Sequence, residues 1–403
     1  MLSFPPHLVR EYLRRFDIGP TAMVLDPFSG TGTTPVECKK LGIPGCGIEA
    51  IPVVHFAGST KVDWAIDHGE LIGHAERVAA TARERLSNDG LTDGGGTGPP
   101  HDCLLSLEPD QQRLLISDSI SPLPLHRTLT LLEALRTHTD ERFRRHELLA
   151  LASVLPTAIG NLRFGPEVGV GAIRQDAPVV DIWLGEVRAM ARDLDQVKET
   201  ADTPCTIHHG DAREPMACLQ PGSIDAVITS PPYPNEKDYS RVVRLESVLL
   251  GFMSDRGDLR ATKEGLLRSN TRNCYKADED DAWIAEHAEI QELARRIEER
   301  RIELGKDSGF ERMYARATKL YFGGMARHFA NLREALRPGA KLAYVVGDQA
   351  SYLRVMIRTG QLLADIAESL GYRVLGIDLF RTRMATATRA QLREEVVLLE
   401  WPG

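Results

Sequence analysis

A strand that must stop at two consecutive prolines is the feature that most restricts the fold of this chain. The apolar run Ile224–Ile228 is typical of a buried strand. Pro231 and Pro232 cannot continue a ladder of backbone hydrogen bonds, so the strand must end there. A strand end that carries the hydroxyl of Ser230, two rigid prolines and the ring of Tyr233 suits a flat substrate with an amine. A proline-rich turn with a half-buried tyrosine is the alternative.

A second strand runs into a glycine-rich turn near the start of the chain. Met23–Leu25 is apolar, and Gly30 and Gly32 follow in the turn. Glycines let the backbone approach a bound ligand closely. A helix is expected next, with Thr34 as its N-cap and Pro35 as its first residue. The pattern predicts a ligand site at this strand end.

Glu49 ends the following strand, Gly45–Ile48. An acidic residue at the end of the second strand holds the ribose hydroxyls in nucleotide-binding α/β folds. The third glycine of the dinucleotide fingerprint is missing, so pyrophosphate binding is not favoured. The pattern fits S-adenosylmethionine better. An ordinary strand–helix turn with a surface glutamate is the alternative.

The two motifs together resemble those of the amino-methyltransferases that modify exocyclic amines of DNA bases. The cofactor motif of that family corresponds to Asp26–Thr34 and its catalytic motif to Thr229–Tyr233. Phe4–Val9, His208–Ala212 and Glu394–Leu399 resemble further segments of the family. The resemblance implies two sets of site residues: for catalysis Ser230, Pro231, Pro232 and Tyr233, and for binding of S-adenosylmethionine Pro6, Asp26, Pro27, Phe28, Gly30, Gly32, Thr33, Thr34, Glu49, Asp211 and Ala212.

The resemblance implies methyl transfer to a base of double-stranded DNA that has left the duplex. The amine is a poor nucleophile, because its lone pair is delocalised into the ring. Acceptors on both N–H groups would free that lone pair, and they are assigned to the Ser230 side chain and the Pro231 carbonyl. Tyr233 is assigned to stacking on the base. Serine rather than aspartate at position 230 favours cytosine N4, with adenine N6 as the alternative.

Seven predicted strands separated by helical stretches indicate a doubly wound α/β sheet. We expect a mostly parallel, Rossmann-like methyltransferase sheet with two largely helical insertions. Residues 1–66, 204–240 and 323–403 are assigned to the core, and residues 67–203 and 241–322 to the insertions. Ligands of such sheets lie beyond the carboxyl ends of the strands, so one cleft could collect the site residues. The strands are expected at Ala22–Asp26, Gly45–Glu49, Cys205–His208, Ile224–Thr229, Lys341–Val346, Tyr372–Asp378 and Glu395–Trp401.

The insertions are the candidates for a module that reads DNA. Arginine and asparagine suit base edges, and lysine suits phosphate. The polar stretch 268–276 could equally be a surface loop. The residues expected to contact DNA are Arg268, Asn270, Arg272, Asn273 and Lys276.

Composition adds limits on the class of protein. The formal charge of −8 does not indicate a polyanion-binding protein, although binding depends on local clusters. The six cysteines lie far apart, which predicts reduced thiols and no metal site. No apolar run is long enough to span a bilayer. We therefore expect a cytoplasmic, nucleoid-associated protein, compatible with an oligomer and with a restriction endonuclease or defence-system partner.

Three other functions remain open. An RNA methyltransferase acting on guanine N2 of tRNA could use similar motifs, but such enzymes usually carry an RNA-binding domain ahead of the core. A protein-glutamine methyltransferase would more often show asparagine at position 230. An inactive DNA-binding regulator has no physical need for Asp26, Glu49, Ser230 and Tyr233 together.

Overall fold

The computed structural model describes residues 4–94, 104–165, 167–235, 237–384 and 391–403 of the chain. The chain forms two compact units. The first comprises Met1–Val62, Thr203–Asp238 and Thr262–Gly403, and the second comprises Asp63–Asp202 and Tyr239–Ala261. The stretch 241–322, assigned above to one insertion, is divided between them, because its residues from 262 onward pack within the first unit.

Helices lie between most consecutive strands of the described residues. The strands are β1 (Val24–Asp26), β2 (Gly45–Glu49), β3 (Leu162–Phe164), β4 (Val168–Val170), β5 (Cys205–His209), β6 (Ile224–Thr229), β7 (Leu336–Gly347), β8 (Arg373–Met384) and β9 (Gln391–Glu400). The α-helices are α1 (Pro6–Arg15), α2 (Thr33–Lys40), α3 (Pro52–Lys61), α4 (His68–Asn88), α5 (Pro109–Leu114), α6 (Pro122–Thr137), α7 (Glu141–Val154), α8 (Val179–Val197), α9 (Tyr239–Val242), α10 (Arg244–Leu249), α11 (Arg256–Glu264), α12 (Ala288–Glu303), α13 (Tyr314–Leu332) and α14 (Thr359–Ser369).

The first unit is built on a seven-stranded sheet in the order β5-β2-β1-β6-β7-β9-β8. Neighbours from β5 through β7 are parallel, whereas β9 runs antiparallel to both β7 and β8. The prediction of a doubly wound, mostly parallel Rossmann-like sheet is confirmed. The carboxyl ends of β1, β2, β5, β6 and β7 consequently lie along one edge.

Alternate residues of the central strands face opposite sides of this sheet, and each side is covered by helices. Leu25 and Val227 join a buried cluster with residues of α13 and α14. Val24 and Ala226 join a second cluster with residues of α1 and α2. Strands buried on both faces read as continuous apolar runs, which is why the sequence pattern located them.

The second unit is mainly helical, with β3 and β4 forming an antiparallel hairpin. Trp183 is fully buried in it, and its Nε1 donates to the backbone oxygen of Glu147 at 2.9 Å. The Glu147 carboxylate also pairs with Nδ1 of His74 at 2.6 Å. Burial raises the pKa of Glu147, and the hydrogen bond with His74 opposes that rise. This buried pair ties α4 to α7.

Within the described ranges, no helix combines the length and the apolar character required to cross a membrane. In the same residues, no three His, Cys, Asp or Glu side chains are arranged to hold a metal ion. The cysteines among them are free thiols.

Candidate active site

The ends of β1 and β6 meet through side-chain hydrogen bonds. Thr229, the last residue of β6, donates from Oγ1 to Oδ1 of Asp26, the last residue of β1, at 2.5 Å. Thr34 of α2 donates from Oγ1 to the backbone oxygen of Ile228 at 2.9 Å. The glycine-rich loop after β1 therefore lies against the strand that leads into the proline motif. Both open at the edge where a parallel sheet places its ligands.

Two glycines of the loop adopt the left-handed conformation, in which other residues are strained. The φ angle is 54° at Gly30 and 85° at Gly32. A Cβ at Gly32 would lie 3.1 Å from Cδ1 of Ile207. A Cβ at Gly30 would meet no described atom within 4 Å. Gly30 thus borders open space, whereas Gly32 packs closely against Ile207.

The helix that follows begins earlier than the sequence indicated. Gly32 is the N-cap of α2 and Thr33 is its first residue. The prediction of Thr34 as the N-cap is wrong, because its hydroxyl is bonded to Ile228 of the neighbouring strand. Pro35 is consequently the third helical residue.

Glu49 fixes the loop from the neighbouring strand. Its Oε2 accepts a hydrogen bond from the Gly30 amide at 3.0 Å, and its Oε1 accepts one from the Ile51 amide at 2.8 Å. Burial raises the pKa of Glu49 to about 7, and these two hydrogen bonds oppose the rise. Each carboxylate oxygen has a further lone pair. The carboxylate is therefore held in one orientation with acceptors left for a pair of hydroxyl groups.

Asp26 is fully buried and only partly satisfied. Its Oδ1 accepts from Thr229 and from the Phe28 amide at 3.2 Å. Among the described residues, its Oδ2 has no hydrogen-bond partner. Burial raises the pKa of Asp26 to about 6, and the hydrogen bond from Thr229 opposes that rise. A buried carboxylate oxygen without a partner is costly, and a ligand that brings a donor or a positive charge would satisfy it.

Asp211 follows β5 and is held by a neighbouring arginine. Arg213 contacts it through Nε at 3.1 Å and Nη2 at 2.6 Å, and reaches Oδ2 of Asp280 through Nη1 at 2.6 Å. The Arg213 amide also donates to Oδ1 of Asp211 at 2.9 Å, and a guanidinium fork fixes the plane of a carboxylate. The partly exposed Asp211 carboxylate is therefore held in one orientation.

Ala212 is connected to the glycine-rich loop through a buried histidine. Nδ1 of His328 lies 2.6 Å from the Ala212 carbonyl oxygen, and Nε2 lies 2.7 Å from the Tyr344 hydroxyl. Burial lowers the pKa of His328 to about 4. In the neutral ring, Nδ1–H donates to the carbonyl and Nε2 accepts from the tyrosine. The same ring lies edge-on to Phe28, with centroids 5.0 Å apart.

Three other predicted cofactor residues lie at element ends. Pro27 is buried directly after β1, and Thr33 is half-buried at the start of α2. Pro6 is exposed at the first position of α1. Chain continuity places Pro27 and Thr33 in the glycine-rich loop, whereas the role of Pro6 stays a prediction.

Ser230 lies partly exposed directly after β6. Its hydroxyl donates to the backbone oxygen of Val345 at 3.0 Å. A hydroxyl has one hydrogen and two lone pairs, so the oxygen keeps acceptor capacity. Pro231 is buried and Pro232 is partly exposed in the loop that follows.

The ring of Tyr233 lies against the end of β7. A Cβ at Gly347 would come within 3.2 Å of Cε2 of the tyrosine, so the close approach depends on glycine there. Burial raises the pKa of Tyr233, and a hydrogen bond with Ser230 opposes that rise. The two predicted catalytic side chains are therefore in contact.

The loop after β6 carries the predicted catalytic residues and is called the catalytic loop below. Residues 263–281, called the bracing segment below, hold this loop in place. The amide of Asn235 donates to the Ser269 carbonyl at 2.9 Å. Nδ2 of Asn270 donates to the Lys237 carbonyl at 3.0 Å. The position of the loop after Pro232 thus depends on this segment.

The bracing segment itself packs on α13 through two glycines. A Cβ at Gly323 would lie 2.0 Å from the backbone oxygen of Asp280, and one at Gly324 would lie 2.5 Å from Cδ1 of Leu267. Arg327 adds an ion pair to Asp280 at 3.0 Å. The close packing of the bracing segment on α13 therefore depends on the absence of side chains at these two positions.

Three of the five residues expected to contact DNA are buried in the bracing segment. Arg268 pairs with Asp278 at 2.9 Å and donates to backbone carbonyls, while Asn270 and Asn273 also donate to backbone carbonyls. The structure does not place these side chains where a duplex could reach them, because they satisfy the polar groups of their own segment.

Arg272 and Lys276 are exposed in the same segment. The Arg272 guanidinium lies over the ring of Phe310, 5.8 Å from its centroid. Their contact with DNA stays a prediction.

Three side chains at the site were not predicted as site residues from the sequence. Thr229 lies inside the recognised motif, but its partner is about two hundred residues away. Arg213 lies two residues after Asp211, a spacing at which local ion pairs form, and this signal could have been used. His328 lies in an apolar helical stretch, where nothing indicates its link to Ala212 and Phe28.

Three relatives of this chain are named as Type II methyltransferases. The chain is 24% identical over 435 residues to the Type II methyltransferase M.BsoBI of Geobacillus stearothermophilus, covering 99% of this chain and 84% of that protein. It is 24% identical over 436 residues to the Type II methyltransferase M.AvaI of Nostoc sp., covering 99% and 85%. A shorter match, 43% over 51 residues, links 12% of the chain to 9% of the Type II methyltransferase M.MjaII of Methanocaldococcus jannaschii. The resemblance to the DNA amino-methyltransferases is confirmed.

No protein-family model matches the chain. Among solved structures, TrmN from Thermus thermophilus is 10% identical with a TM-score of 0.30, covering 98% of this chain and 48% of that one. The rRNA methyltransferase aviRa from Streptomyces viridochromogenes is 11% identical with a TM-score of 0.34, covering 100% and 87%. The fold class rests on the strand order of the sheet, and the relatives support a methyltransferase.

Proposed function

We propose that this relative of the Type II methyltransferases moves a methyl group from S-adenosylmethionine to an exocyclic base amine of double-stranded DNA, at cytosine N4. One observation carries the proposal: the Thr229–Asp26 hydrogen bond joins the catalytic strand to the loop that would hold the cofactor. A methyl donor and an acceptor must lie in one pocket, and this contact supports that arrangement.

The residues present fit S-adenosylmethionine. The Glu49 carboxylate is oriented by the Gly30 and Ile51 amides, which leaves acceptors for the two ribose hydroxyls. Open space at Gly30 lets a ligand pass close to the backbone. The unpartnered Oδ2 of Asp26 offers an acceptor to a donor or a positively charged group of the ligand. Asp211, fixed by its arginine, offers an acceptor for the adenine amine.

Ser230 acts on the target amine by accepting a hydrogen bond. Its hydroxyl donates to the Val345 carbonyl oxygen, and the hydroxyl oxygen keeps acceptor capacity. A second acceptor, the Pro231 carbonyl, would hold the other N–H. Together they draw the nitrogen toward tetrahedral geometry and free its lone pair for attack. When bound, S-adenosylmethionine would supply the methyl carbon of its sulfonium, whose S–C bond would break as the N–C bond forms, leaving S-adenosylhomocysteine and releasing one amine proton to solvent.

Tyr233 offsets part of the cost of removing the base from the duplex. Extrusion costs a few kcal/mol, and stacking on an aromatic ring returns roughly 1–3 kcal/mol. The ring is partly buried against Gly347, which limits its motion and keeps it beside Ser230.

The choice of cytosine N4 over adenine N6 rests on Ser230, whose hydroxyl is a neutral acceptor. In the family that the motifs resemble, the serine form is similar to enzymes that act on cytosine N4, and the aspartate form to those that act on adenine N6. Adenine N6 is the second candidate. Both amines would occupy the same pair of acceptors, so only the identity of the product separates them.

The test is transfer of a labelled methyl group from S-adenosylmethionine to mixed double-stranded DNA, followed by mass analysis of the nucleosides. We expect N4-methylcytosine, and N6-methyladenine would move the assignment to adenine. The Ser230→Ala variant should lose transfer by at least tenfold, about 1.4 kcal/mol in the transition state, and should still bind S-adenosylhomocysteine. Transfer to RNA alone, or no transfer by the wild-type protein, would contradict the proposal.

A restriction endonuclease is the proposed partner, in line with the Type II names of the relatives. Modified DNA should then resist a nuclease that reads the same site. DNA from cells that express the protein can be sequenced for modified bases to find that site. Uniformly unmodified DNA would remove the basis for such a partner.

A further inference from the structure

Strands β8 and β9 continue past the end of β7. Pairing between β9 and β7 ends at Gly347 opposite Glu394. Pairing between β9 and β8 continues for three more residue pairs, to Met384 opposite Gln391. At 3.3–3.4 Å per residue, this extension projects about 10 Å beyond the carboxyl edge of the sheet. Residues 381–384 and 391–394 are called the arm below.

The base of the arm touches the catalytic loop. A Cβ at Gly347 would lie 3.2 Å from the Tyr233 ring and 3.5 Å from Cγ of Glu394. The charges of Arg383 and Arg381 act on the Tyr233 hydroxyl in the direction that lowers its pKa, against the dominant effect of burial. The arm therefore stands beside the loop assigned to the target base.

The arm exposes its positive charges and buries the negative ones. The side chains of Arg381, Arg383 and Arg393 are 59%, 45% and 41% exposed. Glu394, which pairs with the first two, is 11% exposed, and Asp348, which pairs with the third, is fully buried. A ligand that approaches the arm would meet guanidinium groups before it met carboxylates. In a chain with a net charge of −8, such a local cluster decides where a polyanion can approach.

The two arginines on β8 have donors to spare. Arg381 and Arg383 both contact Glu394 through Nε, at 2.5 Å and 3.3 Å. Nε is one of five N–H donors of a guanidinium, whose fork suits phosphate oxygens. Since the two residues are separated by one position, they lie on the same face of the strand. A single carboxylate thus orients two guanidinium groups.

We propose that the arm contacts the backbone of double-stranded DNA next to the extruded base, with Arg381 and Arg383 binding phosphates. The inference rests on the proposed function and assigns to it a DNA-contacting surface outside the predicted insertions. Phosphate contacts position a duplex without reading its sequence. The arm would hold the backbone at the place where one nucleotide leaves the stack.

The test measures binding of a fluorescein-labelled, random-sequence duplex over a range of salt concentrations, with S-adenosylhomocysteine present so that no turnover occurs. Each phosphate contact contributes about 0.9 to the slope of log affinity against log salt. The Arg381→Gln/Arg383→Gln variant should lower that slope by about 1.8 and weaken binding at low salt at least tenfold. The Arg381→Lys/Arg383→Lys variant should keep most of the slope, because it keeps both charges.

The matched control is Arg295→Gln/Arg300→Gln on α12. These arginines are also exposed and paired with glutamates, and their replacement changes the net charge equally. The control should bind the duplex as the wild-type protein does. Binding of S-adenosylhomocysteine should be unchanged in every variant, which checks that the fold is intact.

An unchanged slope in the glutamine variant of the arm, or an equal loss in the control, would overturn the inference. The inference would also be overturned if the wild-type protein bound RNA more tightly than DNA and the glutamine variant lost that binding. The arm would then be an RNA-binding surface. The transfer assay separates the two proposals. Wild-type binding to duplex without methyl transfer counts against the proposed function alone, whereas transfer together with an unaffected arm variant counts against the arm alone.

Discussion

Lowering the pH from 8 to 6 is expected to weaken cofactor binding about tenfold through the protonation of Glu49. The carboxylate lies at the end of β2, where burial raises its pKa to about 7. Ribose hydroxyls donate hydrogen bonds, so the ionised form is the one that binds them well. In the free protein, a proton competes with the ligand for this group.

The magnitude follows from the fraction of Glu49 that is ionised. With a pKa of about 7, about ten molecules in eleven carry the carboxylate at pH 8, and about one in eleven at pH 6. The apparent affinity therefore falls about tenfold on acidification, about 1.4 kcal/mol. Asp26, with a pKa of about 6, adds at most a further factor of about two at pH 6.

The assay is calorimetric titration with S-adenosylhomocysteine at a series of pH values. The control variant is Glu49→Gln, which keeps the shape of the side chain but cannot ionise. It should bind more weakly than the wild-type protein at pH 8 and should lose the tenfold dependence. Any titration of the ligand itself appears in both proteins and cancels. A flat profile in the wild-type protein, or the same slope in both, would refute the reasoning.

Two further predictions concern turnover and packing. Tyr233→Ala should keep S-adenosylhomocysteine affinity and slow single-turnover transfer roughly 5- to 150-fold, the equivalent of losing 1–3 kcal/mol of stacking; loss of ligand affinity instead would make the ring structural. Gly323→Ala places a Cβ 2.0 Å from the backbone oxygen of Asp280 and should destabilise the first unit by about 1–3 kcal/mol in denaturant unfolding. Gly185→Ala in α8 meets no described atom within 4 Å and should instead stabilise by about 0.5–1 kcal/mol, so equal shifts would contradict the packing argument.

The central strands were predictable because their signal is local, whereas β3 and β4 were not predicted and β7 and β8 are longer than expected. Ile224–Thr229 and Gly45–Glu49 coincide with β6 and β2, since apolar runs bounded by glycine or proline define a strand buried on both faces. The parallel direction of the central strands follows from the helical stretches that separate them in the sequence. The convergence of Asp26, Glu49 and Ser230 at one edge is a consequence of parallel strands.

The polar stretch of the bracing segment shows what the sequence could not reveal. Arginine and asparagine in a row are equally suited to base edges and to backbone carbonyls. Arg268 and Asn270 are buried among carbonyls of their own surroundings, a result of tertiary packing against Gly323 and Gly324 that no local pattern encodes. The start of α2 was misplaced for a related reason, because Thr34 found its partner in a distant strand.

Under the proposed function, the bracing segment limits how this protein could acquire a new target sequence. Ser269 and Asn270 support the peptide that carries the predicted catalytic residues, so grafting a foreign stretch between residues 263 and 281 is expected to slow chemistry together with any change of specificity. Hybrid enzymes should therefore keep this stretch from the same parent as the proline motif. The junctions between the two parental sequences should lie at residues whose backbone does not support the loop with the proline motif.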